Sequence, residues 1–277
     1  MIRVSQQNSA AGAKRYYATA DYYLDGQELV GQWGGKGAQR LGLSGTVDKK
    51  SFEQLCDNLD PRSGQPLTVR TRAERTVGYD FTFSVPKSVS LLYGLYEDQA
   101  ILTAFQEATR ETMREMETEM KTRVRKDENR TTSNMVWAEF IHTTSRPVDG
   151  IPDPQLHAHC FVFNSTFDRE EDRWKAGQFR ELKRDAPYFQ RHFACDWRTA
   201  CKSWASASSA NGMTLRSPEC PRTYSGGFHG GRNGSNRSPR KKGSPTPIAR
   251  RSWAPKRANA RVKISVSPHS KRNGGHG

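Results

Sequence analysis

The chain has 277 residues, 44 Lys or Arg against 29 Asp or Glu, and a formal net charge of +15. Residues 198–277 hold seventeen Lys or Arg and one acid, Glu219, so residues 1–197 are close to neutral and the overall basicity belongs to the tail. Cys56, Cys160, Cys195, Cys201 and Cys220 form no C-x-x-C pair, which argues against a zinc ribbon or a secreted disulfide scaffold. No run approaches the ~20 apolar residues of a membrane span, and the N-terminus lacks an apolar signal core, so a cytoplasmic setting is expected.

In chain order, Met1 to Val4 reads as a short strand and Ala11 to Tyr23 as a helix carrying two tyrosine doublets. Gly31 to Gly45 is turn-rich around one helical turn. Asp48 is placed to cap a helix from Lys49 to Leu59, which stops before Pro61. Val77 to Val85 alternates aromatic and β-branched residues and reads as a strand. A helix starts at Pro86 and runs to Tyr96. Asp98 to Lys126 is the longest helical signal, with Ile101, Phe105, Ala108, Met116, Met120 and Val124 as its core-facing stripe. Met135 to Thr143 and Leu156 to Asn164 are two further strands. The Pro- and Gly-containing connector Thr144 to Gln155 suits antiparallel neighbours. A last helix spans Arg184 to Trp197. Strands and helices are interleaved without a parallel βαβ series, so the fold class is α+β with an antiparallel central sheet. Beyond Trp197 periodicity vanishes, and residues 198–277 read as a low-complexity basic tail too poor in apolar side chains to order.

Two constellations carry chemistry. His157 and His159 lie two apart on a predicted strand, so their imidazoles share a face; His142 sits on the strand expected beside it. Three neutral imidazoles with open positions describe a catalytic cation site, whose ion would act as a Lewis acid on a phosphate oxygen. Spacing alone leaves ordinary half-buried histidines as the alternative. Asp80, in an otherwise apolar strand, is either a base or a group orienting a histidine, or else a structural hydrogen-bond partner. Tyr16–Tyr17 and Tyr22–Tyr23 are two doublets within eight residues. Aromatic packing is the plain reading; a phenol activated by a base or metal is the chemical one.

The stretches RYYATADYY, QWGGKGAQRLGLSG, GYDFTFSVPKSVS and HTTSRPVDGIPDPQLHAHCFVFN together resemble the conjugative relaxases of the TrwC/TraI, or MobF, type, over residues 1–197. That resemblance implies a palm-like sheet flanked by helices, as in the histidine-hydrophobe-histidine endonucleases, here with Ala158 between the histidines. It implies His142, His157 and His159 as metal ligands, Tyr16 as the nucleophile of initial cleavage, with Tyr17 beside it, and Tyr22 or Tyr23 for the terminating strand transfer. Asp80 becomes the carboxylate that assists proton removal. Lys87, in PKSVS, is left open between a phosphate contact and packing. The implied reaction is nicking and strand transfer on single-stranded DNA at a transfer origin through a 5′-phosphotyrosyl adduct. The implied ion is Mg2+ or Mn2+, with Zn2+ also compatible with an all-imidazole set. Relaxosome accessory proteins and a coupling protein are the implied partners.

The chain also departs from that pattern. No G-x-x-x-x-G-K-[ST] motif occurs, so the helicase activity that accompanies the family is not expected of this chain. The abrupt shift to Arg, Pro, Ser, Gly and Ala suggests a frameshift near Cys195 to Ala205, a natural basic tail being the alternative. Two functional expectations follow: a nicking domain spanning residues 1–197, or a truncated, inactive remnant that at most binds single-stranded DNA.

Overall fold

The computed structural model describes residues 1–18, 28–69, 75–145 and 152–210. In order, the elements are β1 (Ile2–Gln7), α1 (Ala10–Ala18), β2 (Glu28–Gly34), α2 (Lys36–Arg40), α3 (Lys49–Cys56), β3 (Gly78–Ser84), α4 (Lys87–Tyr96), α5 (Gln99–Thr118), β4 (Lys121–Arg125), β5 (Glu128–Thr131), β6 (Trp137–Thr144), β7 (Pro154–Phe163), β8 (Thr166–Asp168), β9 (Arg173–Lys175), α6 (Arg180–Arg184) and α7 (Ala186–Ala210). All belong to a unit spanning Met1–Thr223.

The central sheet has five strands in the order β1-β3-β7-β6-β2, antiparallel at every ladder, as the α+β reading expects. β7 lies in its middle. A strand there is covered on both faces, and every residue of β7 from Leu156 to Phe163 is buried. One face carries Ala158, Cys160 and Val162 with Phe81, Phe83, Trp137 and Ile141, and packs on α4, α5 and α7 through Val89, Phe105, Met113, Met116 and Phe193. The other carries Phe161 and Phe163 with Ala138 and Phe140, and packs on α1, α2 and α3 through Ala13, Ala38, Phe52 and Leu55. The second face is apolar only toward one end; at the other end its inward positions are His157, His159 and His142.

Helix starts follow their caps. The Asp48 carboxylate accepts from Ser51 N at 2.8 Å, and Asp98 caps α5 by accepting from Ala100 N at 2.8 Å. Glu117, buried near the end of α5, accepts from the backbone N–H groups of Lys36 and Met135, both at 2.8 Å, and so ties α5 to the starts of α2 and β6. Burial raises its pKa, and those two donors oppose the rise.

Several boundaries differ from expectation. The long helix ends at Thr118, and residues 121–125 form β4, paired with β5. Met116, Met120 and Val124 are spaced by four, a multiple of two as well as roughly one helical turn, so spacing alone did not separate the two periods. Met113, Met116 and Met120 are indeed fully buried.

The turn-rich stretch opens on the second half of a strand, β2, which runs into α2. Its glycines answer to packing as well as to turns. A Cβ at Gly31 would fall 2.6 Å from the Phe140 ring, and one at Gly34 would collide with the Trp137 indole. Gly35, with φ at 98°, takes a left-handed backbone that a side chain would strain. The last helix does not stop at Trp197: α7 continues to Ala210, across the boundary expected at residue 197. The region expected to form the basic tail lies, from residue 211 onward, outside the described residues.

Candidate functional site

Register builds the site. His142 of β6 is directly opposite His157 of β7, and Phe140 is opposite His159. On the other flank, Thr82 of β3 is opposite His159 and Ser84 is opposite His157. Paired residues in an antiparallel ladder share a face. The three imidazoles therefore converge, with ring centroids 5.1–5.2 Å apart pairwise. One ligand nitrogen from each lies within 4.8 Å of the others, and all three residues are buried. The expectation that β6 and β7 are antiparallel neighbours holds, and it is what brings His142 to the pair.

Two of the rings are oriented by acceptors. His157 Nδ1 lies 2.8 Å from Gln155 O, which can only accept, so Nδ1 carries the hydrogen and the Nε2 lone pair is left for a ligand. His159 Nδ1 lies 2.8 Å from Asp80 Oδ2 and donates to it in the same way. Burial lowers the His157 pKa to about 4, and the neighbouring His159 and His142 add to the lowering against the Gln155 hydrogen bond. His157 is thus neutral at physiological pH, the form a cation needs. These donors fit a divalent metal: neutral imidazole nitrogens close enough to share an ion, with acceptors behind two of them fixing tautomer and direction.

Asp80 is buried at 3% exposure. Its Oδ2 faces His159, while Oδ1 has no hydrogen-bond partner among the described residues. Thr82 Oγ1 lies 3.4 Å from both Asp80 Oδ2 and His159 Nδ1. Sequence reasoning passed over Thr82, although its position two residues after Asp80 on the same strand face was a usable signal.

Lys87, left open earlier, donates from Nζ to the Asp153 carboxylate and to Pro154 O, the latter at 2.8 Å. It ties the start of α4 to the entry of β7. Tyr16 and Tyr17 lie on α1, whose Ala13 is fully buried in the cluster on the histidine face. Tyr22 and Tyr23 fall outside the described residues.

Three buried imidazoles on the inner strands of an antiparallel α+β sheet, two of them held through Nδ1, form a cluster that could hold a metal ion. A TrwC relaxase family model matches residues 10–213, and the chain belongs to that family, as a MobF-type N-terminal relaxase domain. It is 36% identical over 179 residues to the multifunctional conjugation protein TraI of Escherichia coli strain K12, a match covering 63% of this chain and 10% of TraI. The chain thus spans about a tenth of the length of that relative. Among solved structures it is similar to the conjugative relaxase TrwC in complex with oriT DNA. The metal-bound form gives a TM-score of 0.63 at 30% identity, covering 74% of this chain and 70% of that one. A copper-bound form gives 0.63 at 29% identity, covering 74% and 71%.

Proposed function

We propose that this domain nicks single-stranded DNA at a plasmid transfer origin during conjugation, through a covalent tyrosine–DNA intermediate. The observation that carries this reading is the adjacency of a three-imidazole cluster that could hold a cation and a buried carboxylate with one oxygen uncommitted among the described residues. Its support from relatives is that the TrwC structures similar to this chain hold oriT DNA, in metal-bound and copper-bound forms.

In this reading His142, His157 and His159 hold a divalent cation, Mg2+, Mn2+ or Zn2+. When bound, that cation supplies Lewis-acid polarisation of the scissile phosphate. The chain's own residues do the rest. A phenol with an unperturbed pKa near ~10 must lose its proton to attack at neutral pH. Asp80 Oδ1 is the acceptor for it, while Oδ2 keeps His159 in its donating tautomer. The Tyr16 oxygen bonds to phosphorus, the bond to the 3′ oxygen breaks, and the leaving oxygen takes up a proton from solvent. The products are a 5′-phosphotyrosyl protein and a free 3′-hydroxyl. Because water is not the nucleophile, the ester energy is kept and the strand can be rejoined. Tyr17 neighbours the nucleophile, and Tyr22 or Tyr23 serves the second transfer. Relaxosome accessory proteins and a coupling protein are the partners in this scheme.

The test is a nicking assay on origin-containing single-stranded DNA with added Mg2+ or Mn2+. A covalent protein–DNA band that disappears with chelator supports the reading. DNA binding without any adduct refutes nicking and leaves a binding remnant.

A further inference from the structure

The edge strand β1 adds one charged side chain to the face that holds the histidines. Arg3 is directly opposite Thr82 in the β1–β3 ladder, and Thr82 is directly opposite His159 in the β3–β7 ladder. The three residues form one row across the sheet, on one face. Arg3 is exposed and makes no ion pair among the described residues. The β3 residues on that face between β1 and the histidines are Asp80, Thr82 and Ser84, all short and polar, and the last two are only half-buried. Two strand spacings, roughly 9.6 Å, separate the β1 and β7 backbones. An extended arginine covers much of that span, and no tall side chain of β3 stands in between. The row therefore runs from a cation site to a guanidinium through a shallow polar trough.

We propose that Arg3 binds a backbone phosphate of the DNA strand next to the phosphate held at the metal centre. The strand would then cross the sheet along the Arg3–Thr82–His159 row, toward the β1 edge. This rests on the reading that a single strand occupies the metal centre. Arg3 acts here as a positioning residue. A planar guanidinium pairs two of its N–H groups with two phosphate oxygens, which fixes orientation as well as supplying charge. The contact carries no base information, so it acts on any sequence.

The test uses noncovalent binding of an oligothymidylate of about twelve nucleotides, measured over a range of salt. Arg3→Gln should weaken binding about five- to tenfold at low salt and reduce the slope of log affinity against log salt by about 0.7, the loss of one phosphate contact to a single strand. Arg3→Lys should restore the slope, with only part of the affinity, because the charge returns without the fork. With origin-containing DNA, Arg3→Gln should raise KM and leave kcat unchanged. An unchanged slope and affinity in Arg3→Gln, with an unaltered melting temperature, overturns the assignment. So does a wild-type chain that does not bind the oligothymidylate. The nicking reading fails separately: a wild type that binds, loses slope on Arg3→Gln and yet forms no adduct keeps the Arg3 contact and sinks the chemistry.

Discussion

Asp80 and His159 face each other across the β3–β7 boundary with 2.8 Å between Oδ2 and Nδ1, and the other Asp80 oxygen is buried without a hydrogen-bond partner among the described residues. The pair splits one carboxylate between two tasks: one oxygen orients the His159 imidazole, the other is available to a proton. Two substitutions separate the tasks. Asp80→Asn retains an oxygen that accepts from Nδ1–H but is a poor base, so kcat should fall about 10²–10⁴-fold with metal affinity little changed. Asp80→Ala removes both, and metal affinity should also drop about 10–100-fold. Calorimetric titration with Mn2+ alongside single-turnover cleavage checks this. Equal metal affinity in the two variants would show that Asp80 does not orient His159.

On the proposed reading His157→Ala and His159→Ala should each abolish cleavage while noncovalent DNA binding persists, because the imidazoles would hold the cation that polarises the reacting phosphate and affinity would come mainly from backbone contacts elsewhere. Both positions sit where the apolar face ends, so the cavities left should cost modest stability. Unchanged cleavage in the double variant would remove both residues from the ligand set.

On the opposite face of the sheet, the buried Glu139 pairs with Arg110, with Arg110 Nε 2.8 Å from Glu139 Oε2. Burial raises the Glu139 pKa above its ordinary value, and Arg110 opposes the rise. The sign follows from linkage. A carboxyl with a raised folded pKa holds its proton in the fold at pH values where the unfolded chain has released it. Its contribution to stability therefore declines as pH rises from about 4.5 through the folded pKa. Glu139→Gln should flatten that decline and cost little at neutral pH. Arg110→Leu leaves a buried charge uncompensated and should cost about 3 kcal/mol. Urea denaturation across pH checks both; a Glu139→Gln curve parallel to wild type would refute the assignment.

Much of this was legible in the sequence, for identifiable reasons. His157 and His159 declared a shared face because a strand has a period of exactly two residues, and β7 is buried enough to read as a strand without ambiguity. His142 depended on which strand is the neighbour, and the Pro- and Gly-containing connector supplied that. β2 was not legible. Its glycines, Gly31 and Gly34, are there because Phe140 and Trp137 press against the backbone, and in a linear sequence such glycines look like turns. The β4 start was hidden for a different reason: Met120 and Val124 continue a spacing of four that helix and strand share. The continuation of α7 past Trp197 was missed because Ala, Ser and Trp there show no amphipathic stripe, although alanine itself favours helix.

The last prediction concerns the nucleophile. Tyr16 lies on α1, three residues after Ala13, which is fully buried against the histidine face. Tyr16→Phe keeps the ring and removes only the hydroxyl that attacks in the proposed reaction. It should leave the melting temperature and noncovalent binding of single-stranded DNA nearly unchanged, and reduce the first covalent adduct by at least about a hundredfold. Tyr17→Phe should reduce it far less. Mass spectrometry of the adduct trapped on origin-containing DNA decides between them: a nucleotide found on Tyr17, Tyr22 or Tyr23 and never on Tyr16 overturns the assignment, even if cleavage itself is robust.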